Sequence, residues 1–374
     1  MESNERPTVA VIHLDHLRYN ARQLMSTLGE NQEILAIVKA NAYGHGAPFI
    51  ARTLEGCGVK KFGVATFSEG LELRAQGIKA EIFVLNGVMG PLKEYFSNRL
   101  YPAIFELSQL KQVSDYLNAE SREFKICLKF DTGMGRLGFS PSQVDEVIGC
   151  IKGNSFLKVA CVMTHLAKAD DEQPDFTDRQ FTLFRKLKDI IQERGLKGVA
   201  YSICNSAAFV DKRLDDFHWM RPGIVLYGCY PHPRHQTKID LKPVLELKTK
   251  IISLKKMMPG AHIGYGATFV TQRESHVAIL PVGYADGYPR LASNRGHMLV
   301  RGQRAPVVGR VSMDLTAIDV TDIKDVALHD DVTVIGQNGD LSVGAAEVAT
   351  WADTIPYEIL CGISPRVPRI YEGM

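Results

Sequence analysis

A chain of 374 residues without a C-x-x-C pair, an H-E-x-x-H motif or a long apolar run excludes several kinds of protein at once. Its seven cysteines (57, 127, 150, 161, 204, 229 and 361) are odd in number and lie mostly in apolar stretches. They read as reduced, packed thiols rather than a disulfide framework. Eleven histidines show no metal-ligand spacing, and His232 and His235 fall in a linker-like stretch, so no metal is expected. A net charge of +2 predicts no nucleic-acid surface. The N-terminus M-E-S-N-E-R-P-T-V-A-V-I-H-L-D-H lacks a basic n-region, an adequate apolar h-region and a small-residue cleavage site. A cytoplasmic protein with no membrane partner is the expectation. Repeats and low-complexity tracts are missing as well.

What is present is an ordinary globular mixture, 45% hydrophobic and 23% charged, in a chain long enough for one large domain and a smaller one. Eight apolar strand-like runs recur between amphipathic stretches: residues 34–39, 62–66, 81–86, 101–105, 124–131, 159–166, 199–206 and 218–228. Eight such βα units predict a TIM (β/α)8 barrel. Residues 230–243, rich in proline and histidine, read as a linker. Beyond Val244 the runs are short and turn-separated, which predicts a mostly β C-terminal domain. The expected division is therefore α/β, with a barrel over 1–240 and a β domain over 241–374.

Several residue types in these positions carry chemistry. Lys39 ends the apolar run Ile34–Val38, at the rim where catalytic groups of an α/β barrel converge. A lysine partly desolvated there loses pKa and becomes nucleophilic, whereas one that snorkels to solvent does not. Phosphate sites in this fold form from the loops after strands seven and eight. Those loops offer the Ser206 hydroxyl and the backbone N–H groups of Gly223 and Ile224, although Ser206 also suits a helix N-cap. Together with Lys39 they suggest a phosphorylated aldehyde cofactor.

G-M-G-R-L-G at 133–138 fits the dinucleotide pattern but is followed by no acidic residue for a ribose. A tight turn presenting Arg136 to a carboxylate is the better reading, with a solvated arginine as the alternative. His165, at the end of strand six, suits either orientation of a catalytic group or a satisfied core position. Tyr265 lies between two glycines, which lets its phenol project outward, although packing is the commoner use of such a tyrosine. G-R-V-S-M-D at 309–314 is ambiguous by itself.

V-K-A-N-A-Y-G-H-G at 38–46 resembles the cofactor signature of alanine racemases. The resemblance continues through D-T-G-M-G-R-L-G-F, T-H-L-A, C-N-S-A-A, R-P-G-I-V-L-Y-G, G-Y-G-A-T-F, V-G-R-V-S-M-D and P-Y-E-I-L, nearly the whole chain. It implies fold-type III binding of pyridoxal 5'-phosphate (PLP) and a head-to-tail homodimer that interconverts L- and D-alanine, supplying D-alanine for peptidoglycan. By that resemblance Lys39 holds the cofactor's aldehyde, while Tyr43, Ser206, Gly223, Ile224 and Tyr357 surround its phosphate. Arg221 faces the pyridine nitrogen. Arg136 and the N–H of Met313 meet the substrate carboxylate, with Asp314 in support. Tyr265 and Met313 come from the second subunit. In this family the lysine matching Lys129 can carry a carbamate that pairs with Arg136.

Racemisation needs a proton-transferring group on each face of the α-carbon. The resemblance assigns Lys39 to the D-enantiomer and Tyr265 to the L-enantiomer. A phenol with an ordinary pKa of about 10 needs positive neighbours or donors to act as a base, and His165 and Arg221 are the candidates. Arg221 stays protonated, so it donates to the pyridine nitrogen without protonating it, and the ring is a weaker electron sink. Three rivals share part of the pattern. A PLP decarboxylase has no need of Tyr265, a PLP carrier lacks a β domain, and an NAD dehydrogenase rests on G-M-G-R-L-G alone.

Overall fold

The computed structural model describes residues 6–213 and 217–374, so part of the N-terminal stretch read for a leader and three residues of the expected barrel lie outside the described residues. The chain divides into two compact units. One comprises Leu17–Ala42 and Ala47–Leu241; the other comprises the described residues up to His16, Tyr43–Gly46 and Lys242–Met374. The expected 1–240 range is corrected at its beginning. Strand β1 (Val9–His13) belongs to the β unit, because its apolar centre pairs with strands more than 230 positions away, a partnership that local periodicity does not reveal.

In the larger unit the strands are β2 (Glu33–Ile37), β3 (Lys61–Val64), β4 (Glu81–Val84), β5 (Leu100–Ile104), β6 (Phe124–Lys129), β7 (Leu157–Met163), β8 (Ala200–Ser202) and β9 (Trp219–Met220). All are parallel, in the order β8-β7-β6-β5-β4-β3-β2-β9. The seam between β9 and β8 is crossed by backbone bonds from His218 N to Tyr201 O (2.8 Å) and from Arg221 N to Cys204 O (2.9 Å). The longest helix of this unit buries a single stripe. Asp175–Glu193 buries Thr177, Gln180, Phe181, Phe184, Leu187 and Ile191, at the three- and four-residue spacing of a single helical face. β8 and β9 are shorter than their apolar runs, because residues 206–210 form a helix and 224–227 a 3-10 turn.

The stretch read as a linker is ordered. Pro233–Thr237 form a 3-10 turn, Arg234 donates to the carbonyls of Ala169, Asp170 and Asp171, and His235 is fully buried 3.3 Å from Asp211. Proline and short polar side chains mark a turn as well as a linker, and packing decides between them.

The smaller unit is mostly β, as expected. Its remaining strands are β10 (Leu245–Lys250), β11 (Ser253–Met257), β12 (His262–Ile263), β13 (Phe269–Val270), β14 (Ser275–Leu280), β15 (His297–Val300), β16 (Gln303–Pro306), β17 (Thr316–Asp319), β18 (Asp331–Asn338), β19 (Leu341–Val343) and β20 (Arg369–Glu372). The principal sheet runs β16-β15-β18-β10-β1-β20, with β19 on β18, and β11-β14-β17 form a second sheet. Among the described residues no helix is long and apolar enough to cross a membrane.

Candidate active site

Lys39 does not simply end a strand. β2 stops at Ile37, and Ala40, Asn41, Ala42 and Tyr43 then all take φ near +53°, one turn of left-handed helix made without glycine. Each L-residue in that conformation costs about 1–2 kcal/mol, so the turn survives only because its surroundings fix it. Ala42 N bonds Val38 O (2.9 Å) and Ala47 N bonds Asn41 Oδ1 (2.8 Å). The Glu69 carboxylate takes Ala40 N (2.7 Å), Ala65 N (2.7 Å) and Thr66 N (3.1 Å). Sequence reasoning missed Glu69, although T-F-S-E at 66–69 is a capping box, and the structure contains that box. Its carboxylate does double duty, capping the helix and holding the residue after Lys39.

Arg221 follows β9 and is 6% exposed. Its guanidinium donates to Ser202 Oγ, Thr164 O (2.6 Å), Ile203 O (3.2 Å) and His165 Nδ1 (3.3 Å). A guanidinium only donates, so Nδ1 accepts and the His165 proton resides on Nε2. Burial first, then Arg221, Lys129, Arg136 and Lys39, hold His165 well below the ordinary histidine pKa. Of the two roles the sequence left open for it, positive neighbour or donor, a neutral His165 suits the second, through Nε2–H. Lys129 feels the same field. Burial, Arg221, Arg136 and Lys39 push its pKa down to about 8, against the opposing pull of Asp131.

The G-M-G-R-L-G segment is a tight turn, as expected. Phe139 N bonds Lys129 O (2.8 Å), Asp131 N bonds Phe139 O (2.9 Å), and the Asp131 carboxylate takes the N–H groups of Gly133, Met134 and Arg136. A side chain at Gly138 would lie 2.4 Å from Asp131 N, so the third glycine serves this closure and no pyrophosphate. Arg136 is presented at the exposed tip.

At the loop after β8, Asn205 is the helix N-cap and accepts Ala208 N (3.2 Å), which removes capping as the use of Ser206. Ser206 is buried, and its Oγ accepts Gly223 N (2.9 Å) directly before the turn that begins at Ile224. In the smaller unit Tyr43 and Tyr357 lie ring to ring at 5.9 Å. Burial, with Tyr357 and Cys361 in second place, holds the Tyr43 hydroxyl far above the usual tyrosine pKa, so it is a permanent donor.

Tyr265 stands in the turn joining β12 and β13, between Gly264 and Gly266, both at φ 72°, and is 68% exposed. Met313 is 53% exposed. Its loop is tied down by Ala285 N to Met313 O (3.0 Å) and by Arg366, which bridges Asp314 (2.8 Å) and the buried Asp286 (2.7 Å). Arg6 also reaches Asp286 (2.8 Å), and these bonds lower the Asp286 pKa although burial raises it.

An amine at Lys39, a buried hydroxyl at Ser206 with the Gly223 N–H that it accepts, the backbone N–H of Ile224, and the Arg221 guanidinium all belong to the carboxyl-end loops of one barrel. That donor set fits an aldehyde with a phosphate and a ring nitrogen. Comparison with known proteins identifies the relatives. The family described as "Alanine racemase, N-terminal domain" matches residues 12–231, and "Alanine racemase, C-terminal domain" matches 244–371. This chain belongs to the alanine racemase family. It is 42% identical to the alanine racemase of Halothermothrix orenii over 369 residues, covering 98% of this chain and 97% of that one. Identity to the alanine racemase of Geobacter sulfurreducens is 41%, with 98% of each chain covered. The crystal structure of alanine racemase from D-cycloserine-producing Streptomyces lavendulae superposes with a TM-score of 0.94 at 33% identity, covering 100% of this chain and 98% of that one. The Bacillus anthracis alanine racemase, solved with bound L-Ala-P, gives 0.90 at 33% identity, covering 98% and 95%. The family is one of isomerases acting on alanine.

Proposed function

We propose that this chain interconverts L- and D-alanine with PLP held by Lys39, using Lys39 and Tyr265 as proton-transferring groups on opposite faces of the substrate. The carrying observation is the left-handed turn that follows directly on Lys39, together with the common field that Lys39, Arg221 and Arg136 exert on Lys129, an arrangement suited to an anionic cofactor and an anionic substrate. PLP, when bound, supplies an electron sink that lowers the barrier to α-proton loss. Ser206 and the N–H groups of Gly223 and Ile224 would take its phosphate, with the permanently protonated Tyr43 and with Tyr357 as further donors. Arg221 would hold its ring nitrogen.

Arg136 orients the substrate carboxylate, and its guanidinium fork suits that planar group. Tyr265, exposed on its own chain, would complete the site of a second copy together with Met313, whose loop Asp314 steadies. There the His165 Nε2–H would donate to the phenol oxygen and ease its deprotonation. An uncharged Lys129 amine is the form that adds carbon dioxide, and its lowered pKa favours a carbamate that would pair with Arg136. All seven thiols are without disulfides, the state a reducing cytoplasm maintains. The product would supply the D-alanine of cell-wall peptidoglycan.

The testing experiment follows racemisation of L-alanine, L-serine and L-lysine by wild type, Lys39→Ala and Tyr265→Phe. Alanine is expected to be turned over fastest, Lys39→Ala to be inactive, and Tyr265→Phe to lose about 10²- to 10⁴-fold. Full activity of Tyr265→Phe from the L side would refute the two-base assignment.

A further inference from the structure

Gln180 lies on the buried face of the helix Asp175–Glu193, is 1% exposed, and belongs to none of the groups assigned above. Its amide is fully committed. Oε1 accepts Ala167 N (2.9 Å), while Nε2 donates to His165 O (3.0 Å) and to Thr132 Oγ1 (3.3 Å). The two backbone partners fix which end of the amide is oxygen, since an N–H and a carbonyl cannot exchange roles. Thr132 Oγ1 in turn lies 2.8 Å from Thr164 Oγ1, and both threonines are buried. Thr164 donates its N–H to Ser202 O (3.0 Å) and gives its carbonyl to Arg221. Packing reinforces the hydrogen bonds: a side chain on Gly133 would meet Gln180 Cγ at 3.4 Å.

We infer that Gln180, with Thr132 and Thr164, is a clasp that sets the position of the Arg136 turn relative to His165 and Arg221. Gln180 is a positioning residue; it touches no reacting atom. Thr132 begins the turn that carries Arg136, two residues of the His165 loop are held by the Gln180 amide, and Thr164 is bonded to the carbonyl-gripping guanidinium of Arg221. One side chain from outside the barrel thus joins the arm for the substrate carboxylate to the arm for the ring nitrogen and the imidazole. A neutral amide suits the task. It supplies donors and an acceptor together and adds no charge to a mouth already crowded with cations. A shift of about 1 Å in either arm is enough to cost roughly 100-fold in rate.

The inference rests on the roles given to Arg136 and His165 under the proposed function. Its test uses the PLP-loaded enzyme and the variants Gln180→Leu, Gln180→Glu, Thr132→Val and Thr132→Ser. Gln180→Leu and Thr132→Val are expected to raise KM for alanine about tenfold and to lower kcat as well. The double variant should be no worse than either single, because both break one unit. Thr132→Ser, which keeps the hydroxyl, should restore wild-type behaviour. Should Gln180→Leu fail to fold, Gln180→Glu keeps the acceptor for Ala167 N and loses both donors, and it should show the same rise in KM. Amide hydrogen exchange of residues 131–139 and 164–168 in the cofactor-free protein should quicken together in each damaging variant. Unchanged kinetics, multiplying single effects, a Thr132→Ser as damaged as Thr132→Val, or exchange quickening in one segment alone would each overturn the clasp. Wild type inactive toward alanine would instead remove the functional reading on which it stands.

Discussion

The two ends of the barrel treat positive charge in opposite ways. At the amino end, Lys61 at the start of β3 reaches Glu33 at 2.5 Å and Glu81 at 4.0 Å, lies over the Trp219 ring at 5.1 Å, and has Lys125 on the far side of Glu81. Cation and carboxylate alternate there. At the carboxyl end, Lys39, Lys129, Arg136, His165 and Arg221 act on one another, and burial with mutual repulsion lowers the pKa of Lys129 and keeps His165 neutral. Asp131 opposes this field, but its carboxylate is committed to three backbone N–H groups. One end is neutralised within the fold and serves stability. The other stores positive potential of the kind an anionic cofactor and substrate relieve, which is how barrels usually divide their two faces.

This contrast is open to attack from either side, and the largest expected effect lies at the carboxyl mouth. Arg136→Ala should raise KM for alanine by 10- to 100-fold, since a charge-assisted, bidentate carboxylate contact is worth about 1.5–3 kcal/mol. Steady-state kinetics check it, and an unchanged KM would leave the carboxylate without its partner.

Lys129 provides the next test, on stability. Its pKa is lowered on folding, from 10.5 to about 8, so below pH 8 the folded protein carries a lysine charge that it disfavours. As pH rises from 8 toward 10.5 the folded lysine is neutral while the unfolded one is still charged, and stability increases through that window. With carbon dioxide and cofactor removed, Lys129→Met should be about 2 kcal/mol more stable than wild type at pH 7, after discounting for solvent screening, and the gap should close by pH 10. Urea unfolding at the two pH values reads this directly.

The smallest effect belongs to the amino end. Lys61→Met should lose about 1 kcal/mol in urea unfolding and leave kcat and KM for alanine unaltered, because its carboxylate partners are partly exposed and far from the chemistry. A large kinetic loss there would erase the distinction between the two ends.

Much of the fold beneath this division was legible in the sequence, but the division of charge itself was not. Buried parallel strands read as continuous apolar runs, so eight barrel strands could be located. The positions of Lys39, Tyr265 and the loops proposed to take a phosphate followed from strand ends and motif resemblance. What escaped detection depended on distant partners. β1 finds its neighbours only after more than 230 residues, and His235 proved to be packed core inside an apparent linker. The charge state of His165 was not legible, because burial and then four cations from separate strands and loops decide it. The left-handed turn after Lys39 has no glycine to announce it, and Gln180 gives no sign on its helix of the two loops it joins. Glu69 differs from these. Its capping box was visible in four consecutive residues, and only its second use, on Ala40, required the fold.

The most direct measurement on the carboxyl mouth is the location of the cofactor's bond. Purified protein loaded with PLP is reduced with borohydride, digested and analysed by mass spectrometry. A pyridoxyl label on Lys39 alone is the predicted result, and a label on Lys129 or another lysine, or none at all, would contradict it.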